Sequence, residues 1–114
     1  MVGKTIRATA AQKRRMDAIS KMGCVACAVL NQRQPNGTEV HHITSCGRRM
    51  GHDATMPLCK WMHRGVPKGG LRPSQMDLIY GPSLALNKRA FVRCFGSELE
   101  LLAIVNQQLL ESAT

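Results

Sequence analysis

Glu39-Val40-His41-His42-Ile43 and, further along, Thr55-Met56-Pro57-Leu58-Cys59-Lys60-Trp61-Met62-His63 are the two segments whose reading decides the fold. Thr38 to Ile43 is short, β-branched and alternating, which predicts a strand. Thr55 to Leu58 predicts a second short strand, at a sheet edge because Pro57 has no amide to donate. A short helix is expected to begin near Cys59 and to carry Trp61 and His63. Between the strands, Thr44 to Asp53 reads as a loop in which Gly47 and Gly51 enclose Arg48-Arg49-Met50. A hairpin followed by a crossing helix would carry His63 back to the histidine pair.

Outward from this centre the signals are local. Thr9-Ala10-Ala11-Gln12 has the form of a capping box and predicts a helix over 9–22, with Gly23 taking the left-handed conformation that stops it. Met16, Ile19 and Met22 share one side of that helix, and its other sides are basic. Residues 1–8 read as a loose basic arm. Residues 23–37 read as irregular and end in the turn signal Pro35-Asn36-Gly37. The Gly- and Pro-rich stretch from Gly65 to Pro82 reads as a connection, and 66–86 as a loop. Asn87 caps a helix whose Ala90, Phe91, Cys94 and Phe95 share a face, and Gly96 ends it. Ser97 to Glu100 is a second capping box, opening a last helix expected to turn Leu99, Leu102, Ala103 and Leu110 inward.

The chain has 114 residues, the length of one domain, and only two Phe, one Tyr and one Trp. Its core must therefore be aliphatic and thin, which favours a metal staple. No apolar run reaches membrane-spanning length and no apolar signal segment follows the N-terminal basic residues, so a cytosolic protein is expected. Sixteen Lys and Arg against seven Asp and Glu give a formal net charge of +9, which attracts polyanions and points to nucleic acid. The cations bracket the histidine segment instead of forming one tail. Lys13, Arg14 and Arg15 precede it, Arg48 and Arg49 sit beside it, and Arg64 follows the last histidine. These six are the candidate phosphate contacts.

All four histidines and four of the five cysteines lie between residues 24 and 63. Cys24-Val25-Ala26-Cys27 has the gap that lets two thiolates reach one tetrahedral ion. An odd cysteine count in a chain read as cytosolic argues against a disulfide framework, and no βαβ setting supports a thioredoxin-like motif. A zinc knuckle completed by Cys59 is the better reading. Its fourth arm would fall at position 62, which is Met62, and thioether is a poor zinc ligand. Cys46, His52 or water then completes the site, or the structural zinc has been lost. Cys94 reads as a packed free thiol. Three histidines enclosed by these cysteines suit phosphodiester hydrolysis, which needs a neutral base to deprotonate water and a cation to stabilise charge on the phosphate.

Cys24-x-x-Cys27, Glu39-Val40-His41-His42-Ile43, Pro57-Leu58-Cys59 and His63-Arg64-Gly65 together resemble the HNH (ββα-metal, His-Me finger) endonucleases. Gly47-Arg48-Arg49-Met50-Gly51, Thr55 to Cys59 and the tail from Ala90-Phe91 to Leu101-Leu102 are similar to the phage recombination-enhancement, Ref-like RecA-dependent nucleases. The likeness spans about residues 20 to 110. It implies an α+β fold: a ββα-metal core and zinc knuckle over 23–65, an N-terminal basic helix and two C-terminal helices over 87–112. It implies His41 and His63 as ligands of a catalytic divalent ion (Mg²⁺, Mn²⁺ or Zn²⁺), His42 as general base, and His52 as a further ligand or orienting group beside Asp53. Cys24, Cys27 and Cys59 match structural zinc positions. DNA is the implied substrate, a RecA-type filament the implied partner, and a phage or prophage in a bacterial host the implied origin. Met62, Tyr80 and Ala54 depart from the family pattern, standing where a zinc ligand, a histidine and an asparagine are expected. A non-catalytic zinc-stabilised nucleic-acid-binding module derived from such a nuclease is the alternative, and a structural phage protein stapled by its Cys and His residues is a third.

Overall fold

The computed structural model describes residues 7–30, 38–45 and 48–112. The expected Pro35-Asn36-Gly37 turn, Cys46, Gly47 and most of the basic arm lie outside these residues. The chain is a small α+β protein whose first helix, α1 (Ala10–Lys21), begins as its sequence predicts. The Thr9 hydroxyl accepts from the Gln12 amide at 3.1 Å, and the Thr9 amide donates to Gln12 Oε1 at 2.9 Å. Its end differs from expectation. Met22 closes α1 in an extended conformation, and Gly23 is not left-handed. The buried Thr38 hydroxyl supplies the stop, lying among the last carbonyls of α1 and nearest the Met22 carbonyl at 2.8 Å. Helix ends leave carbonyls unsatisfied, and a side chain distant in sequence can satisfy them as well as a glycine turn.

A one-turn helix, α2 (Val25–Val29), occupies part of the segment read as irregular. Five residues are too short to hold helical structure alone, so packing holds it: Val25, Ala26 and Cys27 are buried. Strand β1 (Glu39–His42) follows, then β2 (Thr44–Ser45) and β3 (Arg48–Arg49), then β4 (Thr55–Leu58). β1 and β4 pair antiparallel, with Glu39 opposite Leu58, Val40 opposite Pro57, His41 opposite Met56 and His42 opposite Thr55. Both strands are edges of this two-stranded sheet, which accommodates Pro57. The predicted loop between them instead carries the small β2–β3 ladder, Thr44 opposite Arg49 and Ser45 opposite Arg48. The Thr55 hydroxyl donates to the His52 carbonyl at 3.0 Å, and Gln12 donates to Asp53 at 3.1 Å, tying the end of this excursion to β4 and α1.

Cys59 is the N-cap of α3 (Lys60–Arg64), which ends at Gly65 with φ of 71°. A side chain at Gly65 would be strained in that conformation and would lie 2.8 Å from Leu86 Cγ. A helix, α4 (Pro73–Tyr80), runs through the stretch read as a connection, started by Pro73 at its first position and by Arg72 N–H donating to Gln75 Oε1 at 2.8 Å. Tyr80, its last residue, lies under the Lys68 ammonium, 4.7 Å from the ring centroid. α5 (Lys88–Phe95) is capped by Asn87, whose Oδ1 accepts from the Ala90 amide, and Phe91 and Phe95 go to the core. Cys94 is exposed, not packed, because the buried face of α5 is centred on the two phenylalanines.

α6 (Glu98–Ser112) starts at the predicted capping box, with Ser97 and Glu100 exchanging hydrogen bonds. Its inward face is another correction. Glu98, Leu101 and Val105 are buried, with Leu102 and Leu109 packed beside them, while Leu99 and Leu110 are 57% and 65% exposed and Ala103 is exposed. Apolar residues occupy nearly every side of Leu99 to Val105, so spacing alone left the face ambiguous. The core joins Ile19, Val25, Ile43, Met56, Leu58, Met62, Met76, Phe91, Leu101 and Val105. Among the described residues no helix is long and apolar enough to cross a membrane. Truncating Leu101 to Ala should cost about 2–5 kcal/mol in urea unfolding, whereas Leu99→Ala should cost under about 0.5 kcal/mol. The reverse order would contradict the observed face of α6.

Candidate active site and metal centre

Successive side chains of a strand leave opposite faces, so His41 and His42 part company while Glu39 and His41 share a side. α3 packs against β1 and brings His63 to that side. The His41 and His63 rings lie 5.2 Å apart between centroids, at 75° to each other. Each ring is also held by a carboxylate. His41 Nε2 is 2.8 Å from Glu98 Oε2, and His63 Nδ1 is 2.9 Å from Glu39 Oε1. Arg64 grips the same Glu39 through two bonds, Nε to Oε1 at 2.9 Å and Nη2 to Oε2 at 2.8 Å. On the other side His42 meets His52, Nε2 to Nδ1 at 3.1 Å, with ring centroids again 5.2 Å apart. The four histidines thus form two pairs, and His52 belongs with His42.

Burial lowers the pKa of His41 from its ordinary value, outweighing the Glu98 carboxylate that favours the charged ring. Burial also lowers that of His42, reinforced by the charge of Arg49 and then His52. Both rings are therefore biased toward the neutral form that a base or a ligand requires. The Arg64 guanidinium holds the Glu39 carboxyl below its usual range, with His63 helping. His41 and His63 each turn one ring nitrogen to a carboxylate, Nε2 to Glu98 and Nδ1 to Glu39. Among the described residues the group of three or more ligating side chains close enough to share one ion is the cysteine trio, not the histidines.

The cysteines form a separate centre. Cys24 is the N-cap of α2, Cys27 stands three residues on, and Cys59 is the N-cap of α3. Their sulfurs all lie within 4.8 Å of one another in a fully buried group, with Cys27 and Cys59 4.0 Å apart. A tetrahedral ion with bonds of about 2.3 Å sets neighbouring sulfurs ~3.8 Å apart, so the trio fits a metal. Hydrogen bonds from Cys24 and Cys27, with the amides of Met62 and Trp61, draw the Cys59 thiol down to about 3 despite its burial. For Cys24 a hydrogen bond from Cys27 acts downward, but Cys59 and burial outweigh it and push the thiol up to about 11. Cys27 is pushed upward by its bonds to Cys24 and Cys59 and by burial. Position 62 holds the buried Met62, and His52, engaged with His42, is not part of the group.

The family model described as recombination enhancement, RecA-dependent nuclease, matches residues 8–110. The chain belongs to this family of RecA-dependent nucleases. Among curated proteins no relative matches it.

For a nuclease of this family the cations matter, and they do not all stand as the sequence suggests. Lys13 and Arg14 are exposed on α1, and Arg48 and Arg49 are exposed on β3. Arg15 instead turns inward, with Nε donating to the Thr55 hydroxyl at 3.0 Å and Nη2 to the Thr55 carbonyl at 2.9 Å. Arg64 is committed to Glu39. Sequence reasoning also missed two acids. Glu39 stands two before His41 on one strand, a signal that could have placed it on the same face. Glu98 had no such signal, because its contact with His41 spans the chain from β1 to α6. Since its folded pKa is depressed, Glu39 stabilises the protein above the ordinary carboxylate pKa of about 4.3, and this is lost as pH falls through the lower folded value. Glu39→Gln should therefore be less stable than the parent at pH 7, with the gap closing as pH falls below the ordinary carboxylate value of about 4.3 in chemical denaturation. A gap that widens in acid would contradict the Arg64–Glu39–His63 linkage.

Proposed function

We propose that this chain is a metal-dependent endonuclease of the HNH (ββα-metal) type that hydrolyses DNA phosphodiester bonds as a single domain over residues 1–114. The observation that carries this reading is the convergence of His41 from β1 and His63 from α3, ring centroids 5.2 Å apart, with His42 of the His42–His52 pair next along β1. His41 and His63 hold the divalent ion, Mg²⁺, Mn²⁺ or Zn²⁺. When bound, that ion supplies stabilisation of negative charge on the scissile phosphate and the departing 3′ oxygen. His42, kept neutral by burial, accepts the proton of the attacking water, and His52 holds the His42 ring in place. Lys13, Arg14, Arg48 and Arg49 contact flanking phosphates. Such contacts position DNA without reading sequence, so little intrinsic sequence preference is expected. A structural zinc sits on Cys24, Cys27 and Cys59. The partner is a RecA-type recombinase filament, and the setting is the cytoplasm of a bacterial host carrying a phage or prophage.

His42→Ala should reduce plasmid cleavage by about 10²–10⁴-fold while DNA binding persists, the range general-base catalysis commands. In the parent, kcat/KM should fall in acid with a midpoint below the ordinary histidine value of about 6.5, because the lowered pKa keeps His42 neutral down to lower pH. Cleavage by His42→Ala at the parent rate would contradict the assignment. No cleavage by the parent with any divalent ion and RecA filaments present would instead leave a zinc-stabilised nucleic-acid-binding module.

The cysteine centre gives an independent check. Purified protein should carry about one zinc per chain, the number a single tetrahedral site holds. Cys59→Ser should lose that zinc and melt at a lower temperature, whereas Cys94→Ser, at an exposed position, should change neither. Full zinc retention in Cys59→Ser would exclude this sulfur as a ligand.

A further inference from the structure

Glu98 opens α6, yet it does not cap the helix, because Ser97 and Glu100 already do so. An acid in the first turn is favoured by the helix dipole, but solvent exposure would serve that purpose equally well. Instead the Glu98 side chain is only 10% exposed. Removing a carboxylate from water is costly unless charged or hydrogen-bonded partners meet it. Two do. His41 Nε2 lies 2.8 Å from one oxygen and Lys88 Nζ lies 3.2 Å from the other. Lys88 is 64% exposed and anchors the charge from the rim of the site, so the buried contact is the one with His41.

Glu98 presents one oxygen to His41 Nε2 and the other to the Lys88 ammonium, an arrangement that a donating His41 N–H satisfies. In that arrangement Nε2 carries the proton and Nδ1 keeps its lone pair. His63 is arranged in the opposite sense, with Nδ1 on Glu39 and Nε2 left over. A carboxylate on the far nitrogen of a metal-binding imidazole fixes ring and tautomer and raises ligand basicity.

We infer that Glu98 is a positioning residue for His41, holding the ring in the Nε2–H tautomer so that Nδ1 faces the catalytic cation. This rests on the reading of His41 as a ligand of that ion. It makes α6 part of the active site and assigns Lys88 to restraining Glu98. It also explains why a charged residue stands on the otherwise aliphatic buried face of α6.

The test uses the full chain, with Mn²⁺ as the probe because thiolates hold that ion poorly. Nitrogen-15 spectra of the metal-free parent should show His41 protonated at Nε2. In Mn²⁺ titrations followed by electron paramagnetic resonance, Glu98→Gln should bind about 10–100-fold more weakly than the parent while melting cooperatively. His41→Ala should bind more weakly still. A parent tautomer protonated at Nδ1 overturns the inference, whether or not the variants fold. So does unchanged affinity in Glu98→Gln when His41→Ala has lost binding, and in that case His41 remains a ligand. Unchanged affinity in His41→Ala overturns the ligand reading, and this inference falls with it.

Discussion

Two four-residue strands make a sheet too small to persist in water without support, and in this protein that sheet sets where Glu39, His41 and His42 lie. Side chains alternate along β1, so a slip of one residue against β4 would send Glu39 and His41 away from α3 and put Val40 and His42 in their place. The pairing of His41 with Met56 and of His42 with Thr55 is held from outside the ladder. Arg15 binds both the hydroxyl and the carbonyl of Thr55, and the Thr55 hydroxyl reaches back to the turn at His52. All four residues of β4 are buried, so the strand cannot shift without exposing Met56 and Leu58. The cysteine centre reinforces the exit from β4, because Cys59 both ends the strand segment and caps α3, while Cys24 and Cys27 join it from α2.

Much of this was legible wherever a signal is local. Thr9 with Gln12, Asn87, and Ser97 with Glu100 announced helix starts because each satisfies amides within its own turn. The β-branched alternation around Val40 and the Thr55–Leu58 run announced the strands. Signals that depend on distant chain were not legible. Thr38 ends α1 from sixteen residues away, α2 exists only because its apolar side is covered, and the face of α6 follows from what it packs upon. α4 was a different kind of miss, since Arg72-Pro73-Ser74-Gln75 carries a local start signal that the surrounding glycines and prolines obscured.

The same distinction runs through the candidate site. His41, His42, His52 and His63 stood out by residue type, and the fold brings them into contact as two pairs. The acids that orient them, and the arginines diverted to structural work, could not be sorted by composition. Arg15 and Arg64 belong to the excess of positive charge, yet Thr55 and Glu39 engage them. Of the six cations the sequence singled out, Lys13 and Arg14 on α1 and Arg48 and Arg49 on β3 remain exposed and are not engaged in this way.

The proposed chemistry requires one cation shared by His41 and His63, and anomalous diffraction from crystals soaked in Mn²⁺ examines it most directly. A peak at the manganese edge within bonding reach of His41 Nδ1 and His63 Nε2 is the expected result. Manganese found only at the cysteines, or at neither imidazole, would contradict it.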